Sequence, residues 1–476
     1  MNIAHSPRAT GAAEPIEAAA ERAPAVNRGI VFVIVALPLL MMSIDSTIVA
    51  TVLHALQQGL DTTIDWAGWT LTAYSFGFVL MLPLSGKLSK QYGRRRVFLG
   101  SVVVFTIASL LCGMTDNIFV LIALRALQAA GGAGFTPSAT GLIVDYFGDA
   151  RDRAVSLFGS IFPIGAMIGP IFGGLFVNYW TWRGAFLVNV PIGIVVVILA
   201  LRFIPSDPQR EKTATGLDVG GMALLGCALL AAMLAATLPG EDGVFQNPLL
   251  IAALVVLSVG SAWGFFHHVG HTARPFIVPG FIHGQHFGPV NLVNMIYGGV
   301  TIGAAALIPF YAANRYGIGP FEAGTLLIAQ GIATIALSVT IAFQLRRTGH
   351  RWPIYVGGAV IAAGMLLLAL PPAGGIPPYV WLAVAAALIG AGGGALNPAT
   401  RNAGLQLAPD QSSTLAALRT LSLQIGTIAT ISISTAILAS TTAPGDAQAW
   451  IYVATAILLL VALPIVSRVP EHFGKW

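Results

Sequence analysis

A recurrence limits what this chain can fold into. Apolar runs long enough to cross a bilayer appear fourteen times: 29–53, 67–86, 96–114, 117–143, 154–178, 185–203, 218–238, 248–267, 287–313, 321–344, 353–371, 379–400, 413–439 and 449–467. A hydrocarbon core of about 30 Å needs roughly 20 apolar residues when crossed as a helix. In lipid the backbone must also satisfy its own hydrogen bonds, so each run is expected as a spanning helix. The composition agrees. Of the 476 residues, 56% are hydrophobic and only 9% are charged, against roughly 25% charged in a soluble domain. The expected class is an all-α integral membrane protein.

Basic residues orient the spans. With the N-terminus in the cytoplasm, all but four of the 24 Lys and Arg fall in cytoplasmic tails and loops. Arg183 and Arg315 lie outside, and Arg125 and Arg419 fall within spans. Such a bias predicts both termini on the cytoplasmic side. It also accounts for the net charge of +5 without any nucleic-acid partner. Residues 1–28 are polar and read as a disordered cytoplasmic tail. The first apolar run is too long for a signal peptide and has no clear cleavage site. Cys112 and Cys227 lie in apolar runs with no partner spaced for a disulfide or a metal.

The polar connections 204–217 and 268–286 bracket the seventh and eighth spans. The expected organisation is therefore a tail (1–28), an N-terminal six-helix bundle (29–204), two inserted helices with flanking cytoplasmic loops (205–286), a C-terminal six-helix bundle (287–468) and a second tail (469–476). The basic loop GKLSKQYGRRR after span two has a counterpart, QLRRTGHRW, after span ten. Repeated halves flanking a midplane site are a transporter signature.

Asp45 is the only carboxylate deep in a span. Placing an ionised Asp there costs roughly 2.5–3.5 kcal/mol on insertion scales, so it defaults to a functional reading. At about 1.5 Å per residue, Asp45 lies about 22 Å and Arg125 about 20 Å from the inner edge. The two can pair, either as a structural ion pair or as a proton-coupling element. Burial and a neighbouring cation act in opposite senses on a carboxylate's proton affinity. A change in either would let Asp45 take a proton on one side and release it on the other.

Residues 165–174 read GAMIGPIFGG. Gly165, Gly169 and Gly173 are four apart and form a smooth stripe that admits a close helix neighbour. Pro170 removes a backbone hydrogen bond beside it. The stripe is either ordinary tight packing or a hinge or seal between two moving halves. In span nine Asn291, Asn294, Tyr297 and Thr301 share a helical face. With Gln128, Gln330, Asn397 and Gln424 they are candidates for a substrate cavity. Hydrogen bonding between helices explains each equally well. Arg419, about 10 Å inside the inner edge, reads as structural or gating. The histidines His267, His268, His271, His283 and His286 read as solvated rather than metal-bound.

In these motifs the chain resembles the major facilitator superfamily, and within it the 14-helix drug:proton antiporters. GAMIGPIFGG matches the antiporter motif G-x-x-x-G-P-x-x-G-G at every fixed position, including Gly174. SIDSTIVATVL, from Ser43, resembles the first-helix motif in its first half. GKLSKQYGRRR, with Gly86, Gly93, Arg94 and Arg95, resembles the loop motif G-x-L-x-D-R-x-G-R-R, but Lys90 stands at the acidic position. In the family that carboxylate latches the halves. LRALQAAGGA resembles the fourth-helix motif with Ala129 for its first glycine, and WRGAFLVNVPIG resembles the 14-helix signature.

The resemblance implies two six-helix bundles with two inserted helices. It implies a proton-carrying Asp45 with Arg125, no cofactor beyond a proton gradient, and multidrug efflux of amphipathic small molecules across a bacterial cytoplasmic membrane. One deep carboxylate points to neutral or monocationic substrates, with Asp61 and Asp65 at the outer mouth. The partners are then the substrate, protons and the lipid bilayer, with a periplasmic adaptor where the cell has a second membrane. A lipid or metabolite exporter of the same fold is the alternative, and a receptor or scaffold without transport is a third reading. An enzyme is not expected, because no nucleophile with a base, phosphate loop or metal spacing appears.

Overall fold

An apolar chain in lipid closes its hydrogen bonds locally, and among the described residues all regular structure is helical. The computed structural model describes residues 27–62, 64–207, 218–237, 247–272, 275, 277–284, 286–439 and 441–472. Nearly all of the expected N-terminal tail, much of the loop at 204–217 and residues 473–476 lie outside that set. So do the side chains of Asp65, Pro170 and His283.

The chain enters α1 (Arg28–Gly59) through Asn27, whose Oδ1 accepts from Gly29 N at 3.1 Å and Ile30 N at 3.3 Å, a side-chain cap for otherwise unpaired N–H groups. Then come α2 (Ile64–Tyr92), α3 (Arg94–Met114), α4 (Ile118–Gly132), α5 (Phe135–Tyr146), α6 (Arg151–Gly159), α7 (Ile161–Tyr179), α8 (Gly184–Leu187) and α9 (Asn189–Phe203). Next are α10 (Val219–Thr237), α11 (Pro248–His271), α12 (Pro279–His283) and α13 (Phe287–Val293). A π-helical turn at Asn294–Val300 leads into α14 (Thr301–Ala306) and α15 (Ile308–Tyr316). The last are α16 (Pro320–Thr348), α17 (Arg351–Ala369), α18 (Pro378–Leu405), α19 (Ser412–Ala439), α20 (Pro444–Val461) and α21 (Leu463–Val466).

Among the described residues 12 helices are long and apolar enough to cross a membrane, or up to 13 when the pair Phe287–Ala306 and Ile308–Tyr316, bent by 40°, counts as one span. The expected count of fourteen differs by α10, whose described apolar stretch is Val219–Ala232. It packs along α11 and against α2 and α19.

Buried apolar side chains gather in separate clusters. One draws on α13 to α21, from Val290 to Val469. Two others draw on α1 to α9, around Phe98, Phe105 and Phe158 and around Ile48, Leu121 and Phe186. Leu405, Leu415, Ala417 and Leu421 cross over to join the N-terminal cluster. Polar contacts meet near the same end of the bundle, where α1 begins and α2 finishes. Ser89 Oγ donates to Ser413 Oγ at 3.2 Å, Asn402 Nδ2 donates to Ser156 Oγ at 2.9 Å, and Arg346 Nε lies 3.4 Å from the Asp152 carboxylate.

Candidate functional site

Five helices converge on Asp45. The residue sits midway along α1, fully buried, and its Oδ2 accepts from Arg125 Nη1 of α4 at 2.7 Å. One turn further along α4, Gln128 Nε2 donates to Asp45 Oδ1 at 2.9 Å and to Ser109 Oγ of α3 at 2.7 Å, and its Oε1 accepts from Arg125 Nη1 at 2.6 Å. Asn189 Nδ2, the first residue of α9, donates to Asp45 Oδ1 at 3.0 Å. Arg125 lies 4.2 Å from the ring centroid of Tyr74 on α2 and 5.5 Å from that of Phe186 on α8.

Backbone proximity makes this convergence possible. A Cβ at Gly77 of α2 would lie 2.2 Å from the Ala126 carbonyl oxygen, so α2 presses directly on α4 beside Arg125. An ion pair out of water depends on hydrogen bonds to its remaining lone pairs and protons. Here three donors meet the carboxylate, and the guanidinium, bonded through Nε and Nη1 but with no hydrogen-bond partner at Nη2, lies against aromatic faces.

The glycine stripe lies beside this centre. A Cβ at Gly165 would stand 2.9 Å from Leu40 O, one at Gly169 2.9 Å from Ile44 O and one at Gly173 3.3 Å from Ile48 O. The stripe therefore seats α7 on α1, the helix that carries Asp45. Of the two sequence readings this favours close helix packing over a seal between the two halves, because the stripe's partner belongs to the same half. What meets the other half is a neighbouring residue of the motif, Met167, whose sulfur approaches Gly331 of α16. Gly174 faces open space.

A small cavity separates α5 from α13, α18 and α19. Its polar lining includes Thr136, Thr140, Asn291, Asn294, Arg401 and Arg419.

Residues 35–269 and 290–475 match the family described as Major Facilitator Superfamily. The chain belongs to the major facilitator superfamily. The methylenomycin A resistance protein of Streptomyces coelicolor is 28% identical over 470 residues, covering 97% of each chain. The multidrug transporter protein MdtP of Bacillus subtilis is 28% identical over 328 residues, 68% of this chain and 60% of that protein. The solved proton:xylose symporter XylE shares the fold with a TM-score of 0.67 over 94% of this chain and 97% of that one, at 13% identity. This facilitator is a membrane transporter and not an enzyme.

Several residues of the facilitator sit differently from their sequence reading. Gln128 is spent within the Asp45 network rather than on a substrate cavity. Tyr297 is a core residue: its hydroxyl donates to Leu459 O at 2.6 Å and its ring covers Gly358. The shared face expected for span nine fails because the π turn at 294–300 takes in an extra residue and rotates the helix beyond it by about 100°. Asn291 and Asn294 stay on the cavity, although Asn291 Nδ2 also donates to Phe281 O at 2.7 Å. Asn397 Oδ1 accepts from Arg419 Nη2 at 2.7 Å. Gln330 and Gln424 are half-buried.

His268 is paired rather than solvated, with Nε2 2.7 Å from Asp218 Oδ1. The sequence reading places Arg401 in a cytoplasmic loop. In fact α18 runs on to Leu405 and carries Arg401 in its last turns, on the cavity.

The loop motif is built without its usual acid. Lys90 is exposed in the last turn of α2. Gly86 lies against Ser413 O and Ala417 of α19, and the Ser89–Ser413 contact spans the halves in place of a carboxylate latch. Gly93, at φ +99°, turns the chain into α3, and Arg94 Nη1 pairs with Asp145 at 2.5 Å. Asp207 caps α3, accepting from Arg95 N and Arg96 N at 3.0 Å each.

Asn189 and Phe186 are site residues that the sequence reading misses. They lie three apart in WRGAFLVNVPIG, one helical turn, and that spacing is their signal. The start of the same segment anchors them: Arg183 Nη1 donates to Gly113 O at 3.1 Å and Thr115 O at 2.7 Å, and its Nη2 pairs with Asp116.

Proposed function

We propose that this facilitator exports amphipathic small molecules in exchange for protons by alternating access, with Asp45 as the proton-carrying carboxylate. The observation that carries the reading is a fully buried Asp45 held by Arg125, Gln128 and Asn189 from two other helices. Buried ionisable groups in spans default to a functional reading, proton relays among them. The names of the relatives, a methylenomycin A resistance protein and a multidrug transporter, support the substrate class.

The chain's own geometry supplies a coupling route. A proton on Asp45 removes the charge that holds Arg125, leaving Gln128 Oε1 and the Thr70 carbonyl as its neighbours. The clamp between α1, α4 and α9 then loosens. Because Gly165, Gly169 and Gly173 seat α7 closely on α1, against its backbone and the short side chains of Ser43, Thr47 and Thr51, α7 follows α1, and Met167 passes the movement to α16. In this reading there are fourteen spans, counting α10 and the bent pair, arranged as two six-helix bundles with two inserted helices. Both termini are in the cytoplasm of a bacterial cell. The contacts of Ser89 with Ser413 and of Asn402 with Ser156 then close the cytoplasmic side, so the structure faces outward.

The test uses vesicles holding only this protein and an internal pH dye, with a panel of amphiphiles added in turn. Amphiphile-stimulated proton flux is expected in the wild type and not in Asp45→Asn. Flux of equal rate in both overturns the assignment.

A further inference from the structure

Six of the described arginines have a carboxylate at hand. Arg94, Arg125, Arg183, Arg315, Arg346 and Arg351 each lie within 4.0 Å of an Asp or Glu oxygen. Arg401 and Arg419 do not, among the described residues, and both line the cavity between the halves. Arg419 gives one N–H to Asn397 Oδ1 at 2.7 Å. Arg401 lies 5.6 Å from the Phe158 ring centroid and occupies the space left by the absent side chain of Gly159. The Nε of each is buried without a partner.

Two further groups on the same cavity are unanswered. Thr140 Oγ1 and Asn294 Oδ1 have no hydrogen-bond partner, and each residue is 1% exposed.

We propose that this cavity binds the anionic group of an amphipathic solute, a carboxylate or a phosphate-type ester, between Arg401 and Arg419. The proposal rests on the export reading above and names its substrate class. A guanidinium stays protonated in proteins, so burial cannot discharge it. Two such charges on one small cavity repel each other and carry a desolvation cost until an anion answers them. Guanidinium forks match carboxylate and phosphate oxygens in two-point geometry. The Thr140 hydroxyl adds a donor. Phe287, Val290, Leu405 and Leu415 complete the wall with apolar surface for the rest of the solute.

In this state the cavity is too small for a drug-sized body. Its walls come from both halves, α5 on one side and α13, α18 and α19 on the other, so their separation enlarges it. The expectation of neutral or monocationic substrates counts carboxylates only and passes over these arginines.

The test is binding to the whole purified protein in nanodiscs of phosphatidylcholine, where no gradient is needed. The probe is dansylated undecanoic acid, compared with its methyl ester. The wild type should bind the acid about tenfold or more tighter than the ester, the scale of one charge-assisted bidentate contact. Arg401→Gln and Arg419→Gln should each bring that ratio towards one. Arg419→Lys, which keeps the charge, and Thr140→Val, which removes only a hydroxyl, should retain part of it and show that loss is not misfolding.

Equal binding of acid and ester to the wild type overturns the proposal, as does an acid preference that survives both Gln substitutions together. A third arm separates a solute from a lipid headgroup. If no acid preference exists in phosphatidylcholine, and phosphatidylglycerol quenches ester and acid binding alike where inorganic phosphate does not, the headgroup is the ligand and the proposal falls. Binding and transport fail separately. An Arg-dependent acid preference without proton flux keeps the site and removes the export reading, whereas proton-driven export of neutral amphiphiles with no acid preference does the reverse.

Discussion

The N-terminal and C-terminal halves use the same two devices to hold their helices. In the first half α7 meets α1 through Gly165, Gly169 and Gly173. In the second, a Cβ at Gly299 would lie 2.4 Å from Leu423 O, one at Gly303 2.8 Å from Thr427 O, and one at Gly426 2.3 Å from Met295 O. Each half thus brings its first and fifth spanning helices into close contact through glycines. The second device is a distant carboxylate cap. Gly93, at φ +99°, precedes α3, whose Arg95 N and Arg96 N donate to Asp207. Gly349, at φ +68°, precedes His350, the cap residue of α17, and His350 N and Arg351 N donate to Glu471. Both carboxylates lie beyond the last helix of their own half. The halves part company over charge. Arg125 is answered by Asp45, whereas Arg401 and Arg419 have no acid among the described residues. Backbone approach and capping are the shared frame, and the buried charges are where each half acquires its own task.

Breaking the answered charge should have the largest effect. Asp45 accepts from Arg125, Gln128 and Asn189, so Asn at this position turns an N–H₂ towards donors and strands Arg125. Removing one partner of a buried pair costs about 3–5 kcal/mol. Asp45→Asn is therefore expected to melt well below the wild type as well as lose proton-driven transport. The double variant Asp45→Asn with Arg125→Gln should recover most of the melting temperature and none of the transport. If the single variant melts like the wild type, the pair is not holding the half together.

Next in size is the shared backbone contact. Gly169→Leu puts a side chain where Cβ already lies 1.9 Å from Thr47 Oγ1, and overpacking costs typically 1–3 kcal/mol. Coupled transport should stop while insertion and topology persist, since Leu suits lipid. Gly299→Leu should do the same in the second half. Gly174→Leu, in the same motif but facing open space, and Phe172→Leu, off the stripe, should transport nearly normally. Equal loss in Gly169→Leu and Gly174→Leu, read from vesicle flux at matched protein content, would break the comparison.

Much of this frame is legible because hydropathy and periodicity are local. The helices fall within a few residues of their expected runs, Asp45 and Arg125 meet as their depths allow, and the stripe is a close contact. Periodicity names a smooth face but not the helix that will cover it, so the partner of Gly169 cannot be read from it. A π turn leaves no mark in composition, and Tyr297 lands on a different face from the expected one for that reason. Asp207 and Glu471 act on residues more than a hundred positions away, which no local pattern encodes. Arg401 is hidden by a helix end that lies five residues beyond the expected one.

The caps differ in the residue after the glycine, and pH should separate them. The first half has Arg94, permanently charged and paired with Asp145. The second has His350, buried between α16 and α17, where burial first and His472 next hold its imidazole down at about 4 from the usual 6.5. Between those values the unfolded chain binds a proton that the folded chain does not, so stability falls as pH drops from 6.5 towards 4. The loss reaches at most about 3 kcal/mol at the lower end. Melting temperature should decline more steeply over that range in the wild type than in His350→Asn. Parallel profiles would remove His350 as a pH-sensitive point of the second half.

The smallest expected effect tests whether the two caps are equivalent. A carboxylate at a helix N-terminus gains from unpaired N–H groups and from the helix dipole, together about 1 kcal/mol when partly exposed. Asp207→Asn and Glu471→Gln each keep an acceptor and lose the charge, so each should lower the melting temperature slightly and by a similar amount. Salt should shrink both differences, because partly exposed charges are screened. Hydrogen exchange supplies the local reading: the first turn of α3 should exchange faster only in Asp207→Asn, and that of α17 only in Glu471→Gln. Glu471 also lies 3.8 Å from Arg351 Nε, so Arg351→Gln should weaken the second cap and leave the first untouched. If Asp207→Asn loosens α17 as much as α3, the caps do not act within their own halves and the repeat is one of sequence alone. If Glu471→Gln leaves α17 protected, the second half is held by the Arg351 contact to the Val469 carbonyl, at 2.8 Å, and only the first half depends on its distant carboxylate.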